Sequence, residues 1–154
     1  MGYALLDAAT DPARILDCGL VPVAVAATAA ERLLSIANAL DALIAQHRPA
    51  ALALERLYFN KNARTAMRVA EARGVVLLCA ARAGLIVAEY TPQEVKLSVT
   101  GTGSADKKQV QRMLGLVLTL AEPITQDNVA DAVAIALAHA QRERFGAAVA
   151  LASG

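Results

Sequence analysis

"ALALERLYFNKNARTAMRVAEARG", residues 51–74, decides how this chain is read. Small apolar residues run up to Glu55, and an arginine, two aromatics and several basic residues follow. Such a short apolar run bounded by a change of character predicts a buried strand. Residues 62–83 then predict a helix, with Gly74 permitting close packing and Gly84 ending the run. The strand thus delivers a carboxylate to its tip, the usual place for functional side chains in open α/β sheets. Glu55 is therefore either a salt-bridge partner for its basic neighbours or a holder of a metal ion beside a polyanion.

Upstream, "GYALLDA" and "ILDCGLVPVAV" predict two strands joined by "ATDPAR", whose Asp-Pro favours a turn. Thr28 and Glu31 have the spacing of a capping box, and the helix that follows carries Leu33, Leu40 and Ile44 on one face before stopping at Pro49. Downstream, "LIVAEY" predicts a strand, and Thr91, Pro92 and Glu94 open a short helix, since proline is tolerated at the first helical position. After the "GTGS" loop, Ser104 is expected to cap a helix running to about Leu120. A last helix is expected over roughly 128–144. Two strands, then alternating helix and strand, then helices argue an α/β layered domain.

The 154 residues suit one domain with a single core, and 56% hydrophobic content argues against disorder. Aromatics are only 3%, so that core must be built from Ala, Val, Leu and Ile. Cys18 and Cys79 form neither a metal-ligand spacing nor a disulfide framework, which favours a reducing compartment. The early apolar run "GLVPVAVAATAA" is short and interrupted by Pro22, so neither a signal peptide nor a membrane span is read, and a cytoplasmic protein is expected. A net charge of +1 excludes a strongly basic DNA-coating protein. Yet residues 56–82 hold six basic side chains against one acidic, between two acidic ends. That block is either a solvated helix face or a polyanion contact.

A second cluster, "TQDNVADAVAIALAHA", places Asp127, Asn128 and Asp131 at the opening of the last helix. Positions three or four apart share a helical face, so Asp131 can stand beside Asn128 or Asp127. As a purely structural residue, Asp127 would be a helix N-cap, and Asp131 an anion favoured by the helix dipole. Flanked by alanines and valines, however, a buried and unpaired Asp131 would cost several kcal/mol or so. A divalent cation shared with Glu55 would relieve it, held by two or three oxygen ligands plus water. Elsewhere, "GTGSADKK" lacks the spacing and the preceding strand of a phosphate loop. His47 and His139 are isolated, the latter expected to pack or cap near a helix end. Ser98, Ser104 and the cysteines lack a paired base. Tyr58 and Phe59 suit either core packing or base stacking, directly ahead of Lys61 and Arg64.

These stretches together resemble a known family. "ERLYFNKN", "ARG", "EYTPQEVK", "GTGSADKKQVQ" and "ADAVAIALAHA" closely resemble the RuvC family of Holliday junction resolvases, over about residues 50–142. The resemblance implies an RNase H-like (retroviral integrase superfamily) fold, a mixed sheet flanked by helices. It implies a homodimer acting on four-way DNA junctions, each subunit hydrolysing one phosphodiester with two divalent metals, Mg²⁺ or Mn²⁺. The RuvA–RuvB branch-migration complex is a further implied partner. By position, Glu55, Asn128 and Asp131 match catalytic residues. Glu55, Asp131 and either Asp127 or Asn128 match metal ligands. Tyr58 matches an aromatic near the crossover, and Lys107 and Lys108 match basic residues that approach the backbone; Phe59, Lys61 and Arg64 join them as candidate DNA contacts from their own chemistry and position.

Two departures accompany the match. The family begins with a strand ending in Ile-Asp-Pro-Gly, whose Asp is the first ligand, whereas "MGYALLD" resembles the second strand. The expectation is a single nuclease domain over 1–154 lacking that first strand, with Asp7 as a candidate replacement ligand and a flexible tail over about 145–154. The second departure is Asn128, which occupies a place usually held by Asp or His and brings no charge. A non-catalytic junction-binding protein and an RNA–DNA hybrid nuclease are the competing readings.

Overall fold

The structure is a computed structural model that describes residues 1–24, 27–56 and 63–152, with the side chains of 63–65 and 146–152 outside the description. The chain divides into two compact units, Met1–Leu20 with Glu89–Gly154, and Val21–Ala88. The α/β expectation holds: four strands and five helices stand among the described residues.

In the first unit, β1 (Gly2–Asp7) and β2 (Arg14–Leu20) pair antiparallel, Gly2 opposite Leu20 and Asp7 opposite Arg14, with a register shift between Leu5 and Leu6. The second strand stops at Leu20, short of the 25 expected, because Pro22 has no N–H to give a ladder. Three helices complete the unit: α3 (Pro92–Thr100), α4 (Lys107–Val117) and α5 (Asp127–Ala152). Val129, Ala130, Val133, Ala134, Leu137 and Ala138 of α5 are buried at helical spacing, and the helix packs on β1, β2, α3 and α4. Leu114 of α4 and Val133 of α5 are sealed from solvent at the centre of this core. Alanine on that face permits close approach, closest at Gly2. A Cβ there would collide with the carbonyl oxygen of Asn128 and stand 3.1 Å from the amide nitrogen of Val129.

Two details of these helices differ from expectation. Asp106, not Ser104, caps α4, because only Asp106 has a reciprocal partner three residues on: its carboxylate accepts from the Gln109 N–H at 2.8 Å while the Gln109 side chain accepts from the Asp106 N–H at 2.8 Å. The last helix runs on to Ala152 rather than ending near 144, since no proline interrupts "RFGAAVALA".

In the second unit, α1 (Ala29–His47) packs against α2 (Ala63–Arg82). The expected capping box opens α1, with the Thr28 N–H donating to Glu31 at 2.7 Å, and these bonds lower the Glu31 pKa. The helix ends on Arg48 in the left-handed region. β3 (Ala51–Glu55) pairs with β4 (Ile86–Tyr90), of which Ile86, Val87 and Ala88 belong to this unit, and the Ile86 N–H donates to the Ala50 carbonyl at 3.4 Å.

Candidate functional site

The residues expected at the site are divided between the two units, and each group is described within its own unit. In the second unit Glu55 ends β3 and is exposed. Its main-chain carbonyl accepts from Arg73 of α2 at 2.9 Å, which ties the strand tip to the helix. Tyr58, Phe59 and Lys61 lie outside the described residues. Arg64 falls in the first turn of α2, with its side chain outside them as well.

In the first unit the acidic cluster forms where α4 and α5 begin. Asp127 is the first residue of α5, so it is not the N-cap considered from the sequence. Its carboxylate instead reaches across to α4. Oδ2 accepts from Lys107 Nζ at 3.2 Å, and Oδ1 accepts from Gln111 Nε2 at 3.2 Å. Lys107 and Gln111 are four residues apart and so share a face of α4. That spacing is the signal by which Gln111, absent from the expected site, could have been found. The hydrogen bond to Asp127, then the charges of Asp131 and Asp127, raise the Lys107 pKa above the ordinary lysine value. Both side chains of the ion pair are largely exposed, 66% and 60%, so solvent screens it and it adds little stability.

Asn128 and Asp131 are exposed, and neither side chain makes a hydrogen bond within the described residues. Expected burial of Asp131 is therefore corrected: Val129, Ala130, Val133 and Ala134 turn inward, and the helical period carries residue 131 to the outer side. No desolvation cost arises there. Lys108 is exposed in the same first turn of α4 as Lys107.

Asp7 stands elsewhere. Its carboxylate accepts from the Ala9 N–H at 3.0 Å, forming the turn after β1. Arg144 grips that turn, donating to the Ala8 carbonyl at 2.9 and 3.1 Å, to the Thr10 carbonyl, and to the Asp11 carboxylate at 3.0 Å. β1 sets Gly2 against the carbonyl of Asn128 and reaches Asp7 five residues on, about 17 Å along the strand, so Asp7 stands well away from the start of α5. His139, expected near a helix end, sits mid-helix because α5 is longer. Its Nδ1 lies 2.8 Å from the hydroxyl of buried Tyr90, and Arg142 stacks over the Tyr90 ring at 5.7 Å.

The outward-facing donors at the start of α5, an amide oxygen and a carboxylate, are the hard oxygen ligands that Mg²⁺ and Mn²⁺ prefer, and a cation, the Lys107 ammonium, already stands beside Asp127. They fit a divalent ion in kind. No group of three or more His, Cys, Asp or Glu forms among the described residues, so they need further donors.

A family model described as "Crossover junction endodeoxyribonuclease RuvC" matches residues 1–139. The chain belongs to the RuvC family. A RuvC from Roseiflexus sp. (strain RS-1) is 45% identical over 139 residues, 90% of this chain and 83% of that protein. Another from Heliobacterium modesticaldum is 44% identical over 147 residues, 96% of this chain and 91% of the relative. Among solved structures, Thermus thermophilus RuvC with a Holliday junction substrate superposes with a TM-score of 0.88 at 34% identity, covering 94% of this chain and 88% of that one. A second T. thermophilus RuvC structure gives 0.80 at 31%, covering 95% and 97%. The RuvC-family fold expected from the motifs, RNase H-like with helices around the strands, is thereby established. No helix among the described residues is long and apolar enough to cross a membrane.

Proposed function

We propose that this chain is a structure-selective endonuclease that resolves four-way DNA junctions by metal-dependent phosphodiester hydrolysis, its residues 1–154 acting as one nuclease domain within a homodimer. The observation that carries this reading is the opening of α5, where exposed Asn128 and Asp131 lie beside a basic α4 in a chain 45% identical to a named crossover junction endodeoxyribonuclease. Glu55, Asn128 and Asp131 are the residues assigned to hold Mg²⁺ or Mn²⁺, two ions per site. When bound, divalent ions polarise the phosphate and lower the pKa of water. Asp131 supplies charge to the site, Asn128 an amide oxygen, and Glu55 a second carboxylate at a strand tip fixed by Arg73. Lys107 and Lys108, with Lys61 and Arg64, are assigned to phosphates, and Tyr58 and Phe59 to unstacked bases. Assembly with a RuvA–RuvB branch-migration complex and a cytoplasmic setting accompany the proposal.

One observation favours a second reading, a junction-binding protein that cuts nothing: the uncharged amide of Asn128 stands at the start of α5 where the family pattern has Asp or His. The family pattern also draws an aspartate from a strand that precedes β1 in register. Cleavage of a synthetic four-way junction with Mg²⁺ or Mn²⁺ separates the readings, run beside duplex and RNA–DNA hybrid. The assay uses this chain and a version carrying such an upstream strand. Selective cutting of the junction that is lost in Glu55→Gln, with junction binding retained, is the expected result. Binding without cutting in both chains would favour the second reading, and preference for the hybrid would overturn both.

A further inference from the structure

We propose that Asp127 is a positioning residue for Lys107 rather than a metal ligand, the ligand role in this turn falling to Asn128 and Asp131; this rests on the nuclease reading above. The geometry of the α4–α5 junction carries the assignment. Both carboxylate oxygens of Asp127 are engaged by one face of α4, Oδ2 by Lys107 Nζ and Oδ1 by Gln111 Nε2, each at 3.2 Å. The Gln111 amide fixes the carboxylate plane, and the fixed plane presents Oδ2 to the ammonium. A dication on Asp127 would stand against that ammonium, and like charges at such range repel. By contrast, the side chains of Asn128 and Asp131 carry no hydrogen bond among the described residues and face outward, so their oxygens are available.

What the contact does follows from its exposure. A screened ion pair adds little to folding, but it holds a lysine that otherwise rotates about four bonds. Ordering that side chain before DNA arrives removes part of the entropy cost of a phosphate contact. Asp127 thus acts on DNA only through Lys107. Asn128, which looked like a weakened ligand, is the oxygen donor that keeps the position next to Asp131.

The test is a double-mutant cycle on the full chain, with junction binding followed by fluorescence anisotropy against salt in EDTA. Mn²⁺ binding to the protein alone is followed by calorimetry. Lys107→Ala is expected to lower the salt slope of junction binding by about 1. Asp127→Asn is expected to weaken junction binding by about three- to tenfold, and the double variant to bind no more weakly than Lys107→Ala alone. Asp127→Glu, which keeps the charge, should recover most of the loss. The Mn²⁺ affinity of Asp127→Asn should stay within about twofold of the parent, where loss even of an outer-shell partner of a metal ligand costs about tenfold or more. A tenfold fall in Mn²⁺ affinity, tighter junction binding by Asp127→Asn, or an Asp127 effect that persists without Lys107 would each overturn the inference while leaving the nuclease reading intact. A Lys107→Ala variant with unchanged affinity and salt slope would remove Lys107 from the DNA surface and overturn the inference with it.

Discussion

The two ends of α5 carry charged residues on the same scaffold but use them differently. At the start, Asp127 reaches a lysine and a glutamine of α4, while Asn128 and Asp131 face solvent. Towards the other end, Arg144 gives its donors to the carbonyls of Ala8 and Thr10 and to Asp11, closing the β1–β2 turn. Backbone carbonyls cannot leave, so the Arg144 end is a fixture of the fold. Exposed side chains that no backbone group holds, Asn128 and Asp131, can take on a ligand, so the start of α5 is where chemistry is possible. The lesson is that charge alone does not mark a site in this chain; the side chain's freedom to take a ligand does.

Substitution at the chemical end should show the largest effect. Asp131→Asn is expected to lower junction cleavage by about a hundredfold or more, since it removes a carboxylate that the proposed function assigns to the metal. Its thermal midpoint should not fall, because the side chain is exposed and makes no hydrogen bond among the described residues. Equal losses of activity and stability would make Asp131 a structural residue like Arg144. Arg144→Ala should give the opposite pattern, a loss of about 1 kcal/mol in urea unfolding with cleavage per folded molecule retained, because a charged donor shared by two backbone carbonyls of the turn is removed. Lost cleavage in a folded Arg144 variant would erase the contrast between the ends.

Gly2 links the fold to the chemical end. Gly2→Ala must move backbone at Asn128, so it is expected to cost about 1–3 kcal/mol and to weaken Mn²⁺ binding as well, measured by unfolding and calorimetry together. A stable variant with unchanged Mn²⁺ affinity would show that the start of α5 tolerates displacement.

The smallest effect is at alkaline pH. The folded state binds the Lys107 proton more tightly than the unfolded chain does, because Asp127 bonds it and Asp131 attracts it. That stabilisation is fully present below the ordinary lysine pKa of about 10.4 and is lost as pH rises through the raised folded value. Lys107→Met should therefore be slightly less stable than the parent at neutral pH, with the difference vanishing in strong alkali. A difference that grew with pH would contradict the pairing.

Local chemistry was legible where partners are near in sequence. Thr28 with Glu31 and Thr91 with Glu94 announced α1 and α3 through reciprocal caps three residues apart. The same rule, applied strictly, would have chosen Asp106 over Ser104, since Gln109 and not Lys107 can accept the cap's N–H. Glu55 at a strand tip and the acids of the last helix were also legible, the first from a change of composition and the second from helical spacing. Contacts between elements were not. That Asp127 turns to α4, that Asp7 belongs to the Arg144 end, and that Asp131 lies outward all depend on packing that one-dimensional spacing leaves open.

Glu55 and Asp131 are proposed to serve one cation, and Mn²⁺ calorimetry on the parent, Glu55→Gln, Asp131→Asn and the double variant tests that directly. Each single change should weaken the tightest Mn²⁺ site by about tenfold or more, with the double change costing less than the two losses combined, as for ligands of a shared ion. Unaltered Mn²⁺ affinity in either single variant, or two losses that simply add, would mean that the carboxylates do not meet on one ion and would contradict the nuclease assignment of this site.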